Sequence, residues 1–115
     1  MPRVEKYSFG EIVIDGKLYT RDLIITPTRI KPNWWRKKGH ELCLEDIRDV
    51  LEEDIEVLVV GTGYSGLMKV LPEVYEEAEK RGIKIVAEKS AEACKIYNKL
   101  ASEGKKVALA IHLTC

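Results

Sequence analysis

Three short apolar runs, Val57 to Val60, Ile83 to Ala87 with Lys84 as its one interruption, and Val107 to Ile111, constrain this chain more than any other feature. Runs of that length without polar alternation belong to strands buried on both faces of a sheet, and such sheets are mostly parallel. The segments between the runs carry helical spacing. Leu44, Ile47, Val50 and Leu51 share one helical face between Cys43 and Glu53. Pro72 suits the first position of a helix running to about Arg81, and Gly82 supplies its stop. Ser90 suits the cap of a third helix through Ser102, with Ala91, Cys94, Tyr97 and Leu100 on one face and Gly104 at its end. Strands alternating with helices imply βαβ units, right-handed crossovers and a mostly parallel sheet.

The first third follows a different rule. Glu11 to Asp15 and Leu18 to Thr26 read as strands, and Asp15-Gly16 between them is a hairpin signal. Thr26-Pro27 closes the second strand, because proline cannot donate to a ladder. A further extended piece is expected around Arg29 to Trp35, interrupted by Pro32. These antiparallel strands either add to one edge of the parallel sheet or form a second small sheet against it. The expected architecture is one three-layer α/β domain over residues 1–115, with a mixed central sheet.

Charge narrows the partners. Lys plus Arg and Asp plus Glu number 19 each, so no global positive field exists to hold nucleic acid. Arg29, Lys31, Arg36, Lys37 and Lys38 form a local basic block, read as a solvated surface. Cys43, Cys94 and Cys115 are odd in number and far apart, which suits reduced thiols in the cytoplasm. The N-terminal residues lack a signal peptide's apolar stretch, and no run is long enough to span a bilayer.

Two motifs invite chemistry. Gly61-Thr62-Gly63-Tyr64-Ser65-Gly66 follows an expected strand directly and matches G-x-G-x-x-G, with Glu88 placed where a ribose-binding acid sits in dinucleotide folds. Pro72 opposes that reading, since it would fall inside the helix that must begin at the glycines. The remaining options are a structural turn, or a loop binding a phosphate or carboxylate with help from Lys69 or Lys89. In the second case Gly63→Val should block the ligand. Asn33-Trp34-Trp35-Arg36-Lys37-Lys38-Gly39-His40 sets adjacent aromatics among cations, a composition that anchors protein partners. In a strand, one tryptophan would enter the core and its neighbour would face outward. His40 with Cys43 and His112 with Cys115 give two H-x-x-C pairs, but four ligands are wanted for structural zinc, and no metal or cofactor is expected. No nucleophile–base–orienter set or paired acid and base is recognisable.

Several of these residues, taken in order, resemble one family. They are Tyr7-Ser8-Phe9-Gly10, the hairpin with Gly16 and Asp22, Pro27, Trp34-Trp35-Arg36 with Gly39-His40, Gly61-Thr62-Gly63, Ala93 with Tyr97-Asn98, and His112-Leu113-Thr114-Cys115. Together they resemble the "Mth nine-three-eight" domain family, which includes the adipogenesis-associated domain protein and, more distantly, a mitochondrial complex I assembly factor of the subunit 3 type. The resemblance runs from about Val4 to Cys115. It implies a three-layer fold whose central sheet has one strand opposed to the rest, no established enzymatic activity, and action through protein partners. The expected function is therefore a non-catalytic interaction or assembly domain working through Trp34, Trp35, Arg36, Lys37, Lys38 and His40. Its alternative is a small anionic ligand on the glycine loop. Replacing Trp34, Trp35 and Arg36 is expected to abolish association with a partner, or self-association, and leave the fold intact.

Overall fold

The computed structural model describes residues 1–115. β1 (Val4–Ser8), β2 (Glu11–Ile14) and β3 (Lys17–Tyr19) make an antiparallel meander. The β2–β3 turn is the expected Asp15-Gly16, with φ of 48° and 81°. Two successive positive values define the turn whose twist matches that of the strands it joins. β1 carries no alternation strong enough to predict it, and its pairing is supplied by β2.

The strand expected over Leu18 to Thr26 is broken at Thr20–Asp22, and β4 (Leu23–Ile25) joins a different sheet. The burial pattern explains the break. Lys17 and Leu18 are exposed, whereas Leu23, Ile24 and Ile25 are wholly buried, as suits a strand covered on both faces. The chain continues through β5 (Ile30–Lys31), β6 (Glu41–Leu42), α1 (Leu44–Leu51), β7 (Val57–Gly61) and β8 (Lys69–Val70). It then forms α2 (Pro72–Lys80), β9 (Lys84–Glu88), α3 (Ser90–Ser102) and β10 (Val107–Ile111). Pro72 opens α2 as its spacing requires.

The main sheet has the order β5-β4-β10-β7-β9. β10, β7 and β9 pair in parallel, while β4 is antiparallel to both β10 and β5, so β4 alone opposes the rest. β6 and β8 form a short parallel ladder outside it. The run Ile83 to Ala87 forms its strand one residue late and at the sheet margin, where its side chains are half-buried instead of enclosed. On one face α1 and α2 cover Ile24, Leu58, Val60, Ala108 and Ala110. On the other, α3 and the meander cover Leu23, Ile25, Val59, Leu109 and Ile111. The sheet is thus the middle of three layers.

α3 also holds the first strand. Of its expected inner face, Cys94 and Tyr97 are buried, but Ala93 takes the place of exposed Ala91. Tyr97 Oη donates to the Pro2 carbonyl at 2.6 Å. Asn98 Nδ2 donates to the Val4 carbonyl at 2.7 Å, and its Oδ1 accepts from the Val4 amide at 3.0 Å. Asn98→Ala leaves both backbone groups of a buried residue unpaired, at a cost of about 1–3 kcal/mol. Hydrogen exchange should show the Val4 amide losing protection before the β7 and β10 amides do.

Candidate interaction site

The connection from β5 to β6 carries the tryptophan–basic segment, and its course is fixed by bonds from three directions. Asn33 turns the chain with φ of 58°, a left-handed value that asparagine tolerates better than most residues. The Trp34 amide then donates to the Asp22 carbonyl at 2.7 Å, and its indole Nε1 donates to the Asp46 carbonyl on α1 at 3.0 Å. Trp34 therefore lies against the α1–α2 core. Trp35 points the other way and is 75% exposed, the in-and-out division expected of the pair. Clefts of about 640 Å³ flank it, one walled by α1 through Arg48 and Asp49, the other by Thr20 and Arg21.

Arg36 is the lock, at 8% exposure. Its guanidinium stacks on the Trp34 ring with 4.7 Å from Cζ to the ring centre. One terminal nitrogen donates to Asp22 Oδ2 at 2.8 Å and the other to the Gly39 carbonyl at 3.0 Å. His112 Nδ1 lies 2.8 Å from the same Asp22 oxygen and 3.1 Å from the Arg36 guanidinium. Asp22 Oδ1 accepts from the Leu113 amide at 2.8 Å. Burial works to raise the Asp22 pKa, but hydrogen bonds from His112, the Leu113 amide and Arg36 outweigh it, and the carboxyl sits below its ordinary value. The nearby His40 ring meets His112 edge-on at 6.2 Å. The two H-x-x-C pairs thus bring their histidines together, yet no three His, Cys, Asp or Glu side chains converge as metal ligands.

The segment's cations are spent internally. Lys31 pairs with Asp49, Lys37 with Glu45, Lys38 with Glu41, and Arg29 with Glu53. The basic block is therefore paired with acids along α1 and its surroundings.

The glycine loop is closely engaged by its own chain. The Thr62 amide donates to the Glu88 carbonyl, and the Gly63 amide to Ser90 Oγ. Tyr64 donates to the Thr114 carbonyl, Gly66 to the Gly63 carbonyl, and Leu67 to the Cys115 carbonyl. Ser90, expected as a helix cap, instead lies buried inside the first turn of α3, with Lys89 at the cap position. Its hydroxyl accepts from Gly63 and donates to the His112 carbonyl at 2.5 Å. Gly63 has φ of 109°, and a Cβ there would lie 2.5 Å from the Cys115 carbonyl oxygen. Gly63→Val would therefore displace residues 114–115 whether or not a ligand binds, so it cannot isolate a ligand site as expected. Lys89 packs over Gly66, α2 starts only at Pro72, and the first amide of α3, that of Ser90, donates to the Gly63 carbonyl at 3.0 Å, so the helix terminus at the loop is occupied by the loop itself.

The expectation that Trp34 and Arg36 can be replaced without harm to the fold is corrected by the burial of Arg36 and by half-buried Trp34, whose ring packs on the α1–α2 core and donates to Asp46. Sequence reasoning also left Asp22 and Ser90 without their roles as cross-chain bridges. Asp22 in the family-like motif and the polar pair Asp22 and His112 flanking apolar strands were the available signals.

The chain is a small three-layer α/β domain in which the Arg36–Asp22–His112 network holds Trp34 beside an outward Trp35. The chain belongs to the family described as "protein of unknown function (DUF498/DUF598)", whose model matches residues 4–112. It is similar to the conserved hypothetical protein PH1505 from Pyrococcus horikoshii OT3, at 31% identity with 98% of this chain and 99% of that one covered and a TM-score of 0.83. The solved protein MT938 shares its fold at 24% identity, all of both chains and a TM-score of 0.82. A Bordetella pertussis protein described as a Mth938-like domain does so at 19% identity over 97% of this chain and 85% of that one, with a TM-score of 0.79. Among curated proteins, the chain resembles NADH dehydrogenase [ubiquinone] 1 alpha subcomplex assembly factor 3. The Danio rerio protein is 42% identical over 54% of this chain and 35% of its own length. The Xenopus tropicalis protein is 27% identical over 94% of this chain and 59% of its own length. The chain thus spans roughly one third to three fifths of the length of the curated relatives it matches.

Proposed function

We propose that residues 1–115 form a non-catalytic assembly domain that docks a protein partner on Trp35 and the clefts beside it. The observation that carries this reading is the contrast between locked Trp34 and Arg36 and freely projecting Trp35. A large aromatic held by a rigid base loses little freedom on binding, which is the property of interface hot spots. The assembly-factor relatives supply the kind of partner: a component of a multi-subunit protein complex. No helix is long and apolar enough to cross a membrane. Three cysteines without disulfides suit the reducing cytoplasm as the place of action.

Trp35→Ala is expected to shift the unfolding free energy by less than about 0.5 kcal/mol, because the side chain touches little of its own protein. Partner binding should weaken by about 2 kcal/mol or more, roughly thirtyfold. The test places a photo-crosslinking phenylalanine at position 35, and as a control at exposed Leu18, in cells of the source organism. A discrete adduct at position 35 alone, competed by the unlabelled wild-type protein but not by Trp35→Ala, supports the assignment. Equal labelling from both positions, or competition by both proteins, removes Trp35 from the interface.

A further inference from the structure

We propose that β9 is a self-pairing edge, joining antiparallel to β9 of a second copy about a two-fold axis at Val86. The surface is distinct from the Trp35 face and does not depend on it.

The main sheet and the meander have four margins between them, and three are blunted. β5 is two residues long and stops at Pro32. β3 is three residues long and opens with Lys17. β1 carries a register shift between Val4 and Lys6, and Asn98 of α3 covers its start. Short strands, charges, bulges and covering helices are the devices that keep sheet edges from pairing. β9 has none in its interior. Its five residues pair with β7 in unbroken register, and the sequence Lys84-Ile85-Val86-Ala87-Glu88 holds no proline or glycine.

The direction of its free backbone groups follows from the ladder. The Lys84 amide donates to the Glu56 carbonyl at 3.0 Å, and the Glu88 carbonyl accepts from the Thr62 amide at 2.9 Å. Alternation in a parallel pair then turns the amides and carbonyls of Ile85 and Ala87 outward. A two-fold axis at Val86 sets Ile85 opposite Ala87 of the second copy, and Ala87 opposite its Ile85. Each facing pair exchanges two hydrogen bonds, so every outward group finds a partner. The same register puts Lys84 opposite Glu88 of the other copy at both ends, with Val86 facing its counterpart between them. Neither Lys84 nor Glu88 has an ion-pair partner within the chain. Moving the axis to Ile85 or Ala87 keeps the hydrogen-bond parity but sets each charge opposite an apolar residue or outside the strand. Charge complementarity therefore selects the second copy as occupant and fixes the register. The result is a closed, self-complementary dimer with one continuous ten-stranded sheet, twice the five strands of one copy.

Sedimentation velocity over a concentration series, to about 0.2 mM, tests this directly. The wild-type chain should sediment with dimer mass. Lys84→Glu and Glu88→Lys each place like charges opposite one another at both ends, and each should raise the dissociation constant by about tenfold or more. Mixing these two variants restores opposite charges at both ends and should recover a heterodimer, and the double swap in one chain should recover a homodimer. Trp35→Ala should leave the dimer unchanged, which separates this edge from the partner face. A wild-type chain that stays monomeric throughout overturns the proposal. So does a dimer indifferent to both single reversals, or variants that weaken association and fail to recover it on mixing.

Discussion

Gly63→Val is expected to lose about 3 kcal/mol of stability or more, enough to leave much of a small domain unfolded. Two costs add. A side chain at φ of 109° is strained by its own backbone, by about 1–2 kcal/mol. Its Cβ would also lie 2.5 Å from the Cys115 carbonyl oxygen and 2.8 Å from that of Thr114, so the segment that receives the Tyr64 and Leu67 amides must move. Gly16→Ala separates the costs. Gly16 also has positive φ, at 81°, but open space around its Cβ position, so only backbone strain of about 1 kcal/mol is expected. Urea midpoints read both variants. Equal losses would show that the contact with residues 114–115 carries no energy.

Asp22→Ala is expected to cost about 3–5 kcal/mol, because it strands the buried Arg36 guanidinium and leaves the Leu113 amide and His112 Nδ1 without their acceptor. Asp22→Asn keeps one acceptor and the side-chain volume, and should cost less. The pH dependence distinguishes loss of charge from loss of packing. A carboxyl held below its unfolded value contributes stability that is complete above the unfolded value, near 3.8. That contribution disappears as pH falls through the lower folded value. The wild-type advantage over Asp22→Ala should therefore hold from neutrality to about pH 5 and narrow in more acidic solution. A constant gap down to the acid limit would assign the effect to packing alone. Since Arg36 shares this network, its replacement should impair fold and partner binding together. Trp35 is the substitution that isolates binding.

These two residues mark the boundary of what is readable in a linear chain. The parallel strands were legible because Val57 to Val60 and Val107 to Ile111 are apolar without alternation, a pattern enforced by burial on both faces. The helix start at Pro72 and the turn at Asp15-Gly16 were legible because each depends on local dihedral chemistry. The family was legible from motif order, and its model covers residues 4–112. The division of labour between Trp34 and Trp35 was half legible. Strand alternation predicts opposite directions, but β5 ends at Lys31, so contact with α1, and no strand, makes Trp34 the inward one.

Position in the sheet was not legible. Ile83 to Ala87 has the composition of an enclosed strand and became an edge, because edge or centre depends on the order in which distant strands pair. The same holds for Leu18 to Thr26, which divides between two sheets. The glycine motif is the sharpest case. Its spacing alone fits a phosphate cradle or a structural turn, and the tertiary structure fills the amides with carbonyls from residues 114–115 and the hydroxyl of Ser90. Sequence alone determined the three helices, the buried parallel strands and the Asp15-Gly16 turn, since those rest on short-range burial periodicity and backbone dihedrals. Tertiary structure decided that Asp22, Arg36 and His112 meet, because a buried charge settles wherever the packed chain supplies its partners, however far apart they lie in sequence.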